Sequence, residues 1–272
     1  MERLEIQGES IPKLGLGTWQ IEGERCEKAV KQALELGYRH IDTAQAYGNE
    51  KNVGAAIEKS EVDRDDIWLT TKIWRSNFKQ KDVKKSFKES LEDLKTDYVD
   101  LLLIHWPHKT IPFEETLSAM SDLVDEDKVK RIGVSNFTVS QLREAVELCD
   151  KEIFTNQVEY HPFLSQEKLL EECIEKDIVL TAYSPLARGT VLDSRPLKRI
   201  GDKYGKSPAQ IALRWLIQKD NVTAIPKSSS LRHQKQNIDI FDFELNSAEM
   251  SEIDGLNRSE RKVDPSFAPE WD

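Results

Sequence analysis

Cysteine, metal-binding spacings, glycine-rich phosphate loops and long apolar runs are scarce or missing in this chain of 272 residues, and each shortage removes a class of molecule. There are three cysteines, Cys26, Cys149 and Cys173. The count is odd and no C-x-x-C pair occurs. That suits free thiols in a reducing compartment rather than a disulfide framework or zinc site. Each thiol falls on the apolar stripe of an expected helix, the ordinary place for a core cysteine. Five histidines occur, His40, His105, His108, His161 and His233, without H-x-H or H-E-x-x-H spacing. Metal-dependent hydrolysis therefore lacks a recognisable ligand set, and no metal is expected. No G-x-G-x-x-G follows the first expected strand, which counts against an open dinucleotide-binding sheet. No apolar run is long enough to cross a bilayer. The charged opening MERLEIQGES does not read as a signal peptide, so a cytoplasmic location is expected.

What is present describes an acidic globular chain. Lys and Arg number 39 against 49 Asp and Glu, a formal charge of −10, and hydrophobic residues make up 38%. A core is affordable, and nucleic acid or an anionic membrane surface is not an expected partner. A local basic pocket for a phosphate remains compatible with this balance. No linker rich in Pro, Gly or Ser divides the chain, so residues 1–272 read as one domain.

The strongest internal signal is alternation. Apolar or β-branched runs begin near Leu14, Arg39, Ile67, Tyr98, Lys130, Phe154, Ile178 and Val222, and segments of helical period lie between most of them. One such segment carries Ala29, Val30, Ala33 and Leu34, another Val83, Phe87, Leu91 and Leu94, and a third starts at Pro112. Ser207-Pro208-Ala209-Gln210 has the form of a capping box with proline at the first helical position. An additional helix is expected over 196–204. Eight strands with crossovers in a chain of this length predict a closed (β/α)8 TIM barrel with extra C-terminal helices. Arg3–Ile6 and residues 10–13, flanking Gln7-Gly8-Glu9, predict a short β-hairpin closing the barrel bottom.

In such a barrel, reactive groups belong at the C-terminal ends of the strands. Asp42, Lys72, His105, Ser135-Asn136, Gln157, Tyr183-Ser184 and Lys227-Ser228 all fall there, and Tyr47 follows Asp42 in the next loop. Singly, each has a bland reading as a cap, a solvated lysine or a buried histidine. Together they compose a proton-donating site. A free phenol titrates near about 10, and a neighbouring ammonium favours phenolate. Lys72 supplies that charge, Asp42 keeps Lys72 protonated, and His105 orients a carbonyl on which negative charge develops.

At these residues the chain resembles the aldo-keto reductase family, most closely the microbial 2,5-diketo-gluconate reductase type. The words that carry the resemblance are Gly15-Leu16-Gly17-Thr18-Trp19, Arg39-His40-Ile41-Asp42-Thr43-Ala44 with Tyr47-Gly48-Asn49-Glu50, Thr71-Lys72, and Leu103-Ile104-His105-Trp106-Pro107. They continue with Gly133-Val134-Ser135-Asn136-Phe137, Asn156-Gln157-Val158-Glu159-Tyr160-His161-Pro162, Tyr183-Ser184-Pro185-Leu186 and Ile225-Pro226-Lys227-Ser228. The resemblance implies a catalytic tetrad of Asp42, Tyr47, Lys72 and His105, acting on a small-molecule carbonyl with NADPH in a monomer. It implies that Ser135, Asn136 and Gln157 bind the carboxamide, that Tyr183 stacks on the nicotinamide, and that Gly17 and Thr18 line its ribose. Ser184 and Leu186 would contact the pyrophosphate, Lys227 and Ser228 the 2′-phosphate side, and Gln236 and Asn237 the adenine. Trp19, Trp74 and Trp106 would wall the substrate. A catalytically weak NADP(H)-binding sensory or structural subunit is the alternative, but such a module has no need of all four tetrad groups.

Two positions depart from the family pattern. Where the family commonly has arginine against the 2′-phosphate, this chain has His233, preceded by Arg232. Either Arg232 takes over or the preference for NADPH over NADH weakens, because neutral histidine is a poorer phosphate partner than the guanidinium fork. The segment His108-Lys109-Thr110-Ile111 and the tail are short, which predicts an open pocket. Residues 264–272 either fold over the mouth, bringing Phe267 or Trp271 to the substrate, or stay unordered.

Overall fold

In the computed structural model, which describes residues 1–108 and 110–272, the chain opens with the expected hairpin. β1 (Arg3–Ile6) pairs antiparallel with β2 (Glu9–Pro12), Ile6 facing Glu9. Gln7 and Gly8 alone form the turn, at φ 48° and 76°. This is the left-handed pair that a two-residue hairpin demands. Glu9 therefore belongs to the strand, not to the turn.

Eight parallel strands follow, each with a helix before the next. They are β3 (Leu16–Gly17), β4 (His40–Asp42), β5 (Trp68–Ile73), β6 (Val99–Ile104), β7 (Val129–Ser135), β8 (Ile153–Glu159), β9 (Val179–Tyr183) and β10 (Val222–Ala224), and they neighbour one another in sequence order. The first strand returns to the last. Ala224 N–H donates to the Lys13 carbonyl at 2.9 Å, Gly15 N–H to Ala224 at 2.8 Å and Gly17 N–H to Pro226 at 3.2 Å. A Cβ on Gly17 would lie 2.8 Å from the Ile225 carbonyl oxygen. The seam of the barrel thus requires glycine at that point, a reason independent of any ligand.

The crossover helices are α1 (Gly23–Glu35), α2 (Glu50–Glu58), α3 (Gln80–Leu94), α4 (Phe113–Asp125), α5 (Val139–Leu148) and α6 (Glu167–Glu175). After β9 come α7 (Arg195–Tyr204) and α8 (Pro208–Ile217), and after β10 come α9 (Leu231–Ile238) and α10 (Ser247–Asp254). The capping box at Ser207 is present, with Gln210 N–H reaching Ser207 Oγ at 3.4 Å and Ser207 N–H reaching Gln210 Oε1 at 3.0 Å. Helix α2 is not evident from periodicity. It has nine residues, and Gly54 interrupts its stripe. The glycine is needed because Leu94 and Asp93 backbone atoms would lie 2.5 Å from a Cβ there, where α2 crosses the end of α3. Cys26 and Cys173 are buried as expected, whereas Cys149 is only half-buried and caps α5 from outside it.

Side chains alternate along each strand, and those pointing inward build layers. Outward residues such as Ile41, Leu69, Leu102, Ile132 and Leu180 join the helices in the main core. At the N-terminal end, Trp68, Leu101, Phe154 and Val179 pack with Ile6 and Ile11 of the hairpin, which plugs the bottom. Above them lies a polar belt: Thr155 Oγ1 and Thr223 Oγ1 reach Thr181 Oγ1 at 2.9 and 3.0 Å, and Thr70 Oγ1 lies 3.3 Å from His40 Nε2. Two residues further along, the same strands present Asp42, Lys72 and Tyr183.

Candidate active site

The top of the barrel is organised around Lys72, an ammonium with no solvent exposure. Its Nζ lies 2.5 Å from Asp42 Oδ1, 2.8 Å from the Thr43 carbonyl and 3.4 Å from Tyr47 Oη. The other Asp42 oxygen accepts from Gln157 Nε2 at 2.7 Å. Burial pulls Lys72 down and pushes Asp42 up, and each charge opposes that drift in its partner. A pair this dry survives because its remaining hydrogen-bonding positions are filled. Thr18 braces the end of β4, donating through N–H and Oγ1 to the Asp42 carbonyl at 3.0 and 2.9 Å.

Tyr47 sits in a turn between β4 and α2, held near Lys72. Its phenol is not acidified as the sequence led us to expect. Burial first, and then the Asp42 carboxylate, hold it well above its ordinary value. The physical reason is that Lys72 does not act as a free cation. Asp42 neutralises most of its field, so desolvation of the phenolate dominates. Burial, and next the Lys72 charge, hold His105 neutral, well below its ordinary value. His105 Nδ1 is sealed without a partner. Placing the proton on Nε2 leaves an unpaired acceptor there rather than an unpaired N–H, so Nε2 is the donor nitrogen open to the site.

A second polar group adjoins the first. Asn136, at φ 64°, donates from Nδ2 to the His105 carbonyl and to Ser135 Oγ, both at 3.0 Å. Its Oδ1 accepts from Tyr183 Oη at 2.7 Å, and Ser135 Oγ donates to the Gln157 carbonyl at 2.8 Å. The structure therefore brings Asp42, Tyr47, Lys72, His105, Ser135, Asn136, Gln157 and Tyr183 into one connected cluster. Ser184 and half-buried Leu186 follow in a loop with a run of positive φ.

The remaining positions lie away from that cluster. Lys227 is exposed and Ser228 buried beyond β10, and α9 carries exposed Arg232 and His233, half-buried Gln236 and buried Asn237. Among the described residues, neither Lys227 nor Arg232 forms an ion pair. Arg25 reaches the same loop, donating to Ser229 Oγ at 2.9 Å. In a chain of net charge −10, this unneutralised basic group suits an anion.

Over the mouth runs the C-terminal segment, which settles its two expected states in favour of order. The Phe267 ring lies 6.0 Å from Trp74 and 5.5 Å from Trp106, and Trp271 lies 6.1 Å from Trp106. Trp74 in turn meets His105 at 5.2 Å. The pocket is therefore roofed by aromatic rings rather than open. The short loop after β6, read in the sequence as 108–111, includes Lys109, which lies outside the described residues. Trp19 stands apart from these rings, 38% exposed beneath the Arg188 guanidinium.

Several supporting residues escape a strand-end reading. Asn49 Nδ2 ties the Thr18 and Ile21 carbonyls at 2.9 Å, and Gln45 Oε1 accepts from Trp74 N–H at 2.9 Å. Glu50 is buried behind Lys72 and accepts from Thr71 Oγ1 at 2.5 Å. The available signal was their nearness to Tyr47, a run of polar residues where α2 begins.

The model of the aldo/keto reductase family matches residues 13–258. A 9,11-endoperoxide prostaglandin H2 reductase of Trypanosoma cruzi is 43% identical over 255 residues, covering 92% of this chain and 89% of that one. A glyoxal reductase of Bacillus subtilis is 42% identical over 255 residues, covering 93% and 92%. Among solved structures, one provisionally described as a 2,5-diketo-D-gluconic acid reductase B superposes with TM-score 0.98 at 44% identity, covering 100% of this chain and 98% of that one. The aldose reductase of Schistosoma japonicum superposes with TM-score 0.94 at 35% identity, covering 99% and 98%.

Proposed function

Because the chain belongs to the aldo/keto reductase family of carbonyl oxidoreductases, we propose that it is a single-domain, monomeric NADPH-dependent reductase of aldehydes and ketones with Tyr47 as proton donor. The observation that carries this reading is the buried Lys72, bonded to Asp42 and within reach of Tyr47 Oη at one end of the barrel. A mere binding module has no reason to bear the desolvation of that pair.

The residues fit a nicotinamide dinucleotide. Ser135, Asn136 and Gln157 offer amide and hydroxyl groups for a carboxamide, Tyr183 offers a ring, and Lys227 with Arg232 offers charge for a phosphate. Asn136 would exchange its bond to Tyr183 for one to the carboxamide. The bound nicotinamide supplies the hydride. His105 Nε2 donates to the carbonyl oxygen and orients it. Tyr47 Oη gives that oxygen its proton as negative charge builds. An alkoxide is a stronger base than a phenolate, so a phenol held above its ordinary value still delivers the proton. The Lys72 ammonium then stabilises the phenolate left behind, and Asp42 keeps Lys72 from surrendering its own proton. Trp74, Trp106 and Phe267 keep water from the reacting carbon.

The aromatic wall suits aromatic aldehydes, and the named activity of the Bacillus relative makes small dicarbonyls a second class to assay. Tyr47→Phe removes the proton but keeps the ring. Loss of NADPH absorbance with benzaldehyde or methylglyoxal should slow by about a thousandfold, with NADPH affinity unchanged. Full activity in this variant would overturn the assignment.

A further inference from the structure

Two residues of the motif that contains Gln157 play no part in this chemistry. Glu159 and His161 have no solvent exposure, yet they sit at the top of the barrel beside the C-terminal segment. Glu159 Oε1 accepts from His161 Nε2 at 2.9 Å and from Lys262 N–H at 2.7 Å, and Oε2 accepts from Val263 N–H at 2.8 Å. His161 Nδ1 accepts from Phe163 N–H at 3.3 Å, so the imidazole proton lies on Nε2 and fixes the carboxylate in place. The same turn holds the segment one step earlier, where Arg258 and Glu260 N–H donate to the Phe163 carbonyl at 3.3 and 2.9 Å.

The segment is also tied at its two ends, where Asn257 Oδ1 accepts from Ser165 N–H at 3.0 Å and Asp272 Oδ2 from Val139 N–H at 2.7 Å, but the bonds to Glu159 are the ones nearest before Phe267. From residue 254 to 272 no side chain is buried. A cavity of about 230 Å³ remains beneath its far end, bordered by Phe137, Leu164, Arg261 and Trp271. Apolar burial alone cannot order such a stretch against its conformational entropy. Charge-assisted bonds from a dry carboxylate to two consecutive backbone amides can. Four residues past the second amide stands Phe267, in contact with Trp74 and Trp106.

We propose that Glu159, set by His161, is a positioning and specificity-determining residue: it latches residues 262–263 so that Phe267 roofs the substrate pocket, selecting aromatic over small carbonyl substrates. The substrate part rests on the carbonyl-reductase reading above. The latch itself does not.

Glu159→Gln keeps the shape but presents an amide NH2 to one of the two backbone donors, so at least one bond fails. Val263→Pro removes a donor from the strap side and leaves the barrel interior untouched, which covers the case that Glu159→Gln fails to fold. In wild type, Lys262 and Val263 amides should resist hydrogen exchange. In Glu159→Gln both should lose that protection, and in Val263→Pro the Lys262 amide should lose it. In both variants KM for benzaldehyde should rise about tenfold, the order expected for losing a ring contact and its burial. KM for methylglyoxal and the Kd for NADPH should stay within about twofold, since neither depends on the roof. Adding Glu159→Gln to Phe267→Ala should cost nothing further for benzaldehyde. Unchanged protection overturns the latch. Equal losses for both aldehydes and NADPH show a merely structural role and overturn the selection. If wild type reduces neither aldehyde, the reductase reading fails, and hydrogen exchange still decides the latch.

Discussion

The two ends of the barrel are made by the same strands and obey opposite rules. At the bottom, Trp68, Leu101, Phe154 and Val179 meet the hairpin residues Ile6 and Ile11 in an apolar plug. At the top, four residues along from Trp68 on the same face of β5, Lys72 is just as deeply buried and carries a charge. The bottom gains stability from water exclusion. The top spends it, holding Asp42, Lys72 and His105 in a dry site where each group leans toward its neutral form. Burial is therefore not a measure of what a position contributes. At one end it stabilises the fold, and at the other it sharpens the electrostatics of the site.

The largest effect should come from separating these roles at the top. Lys72→Met leaves Asp42 buried without its partner and should cost about 3–5 kcal/mol of stability, with turnover lost by about a thousandfold or more. Adding Asp42→Asn should restore much of the stability in urea titrations and none of the turnover. Recovery of turnover would break the distinction between the two ends. Next, Phe154→Ala at the bottom should cost a similar 3–5 kcal/mol, roughly, through the cavity left behind, while kcat/KM of the folded protein stays within about twofold.

A third test uses pH and lies between the ends. Burial first, and the Lys72 charge next, pull His40 from its ordinary 6.5 to about 3. Between those values the unfolded chain binds a proton that the folded one refuses. The contribution of His40 is thus complete above 6.5 and is lost as pH falls toward about 3, by up to about 1.4 kcal/mol per unit. Urea midpoints between pH 7 and pH 4 should fall less steeply in His40→Gln than in wild type. The smallest effect is expected on α9, outside the barrel strands. His233→Arg on α9 should lower KM for NADPH about three- to tenfold by supplying a guanidinium fork, with KM for NADH unchanged. An unaltered NADPH to NADH ratio would place the phosphate elsewhere.

Much of this comparison was already legible in the chain. All eight observed barrel strands start within two residues of the positions expected from period and composition. Asp42, Lys72 and Tyr183 could be assigned to the rim because in a parallel barrel the end of a strand is also the top of the molecule. Helix α2 was not legible, since nine residues around Gly54 carry too little stripe. The roof was half legible: folding over the mouth was one of two expected states of residues 264–272, but Phe267 and Trp271 stand in a polar tail, and nothing local says that Glu159, more than a hundred residues away, receives the amides just before them.

The sequence by itself determined the order of the strands, most of the helices between them, and the identity of the polar groups at the rim. These follow from local period and from short words that need no partner. Only the tertiary structure decided that the Tyr47 phenol is held up rather than acidified, that His105 offers Nε2, and that the C-terminal segment lies latched across the mouth. Each of these depends on how far charges stand from one another and how much water reaches them. Such distances arise only when remote segments pack together.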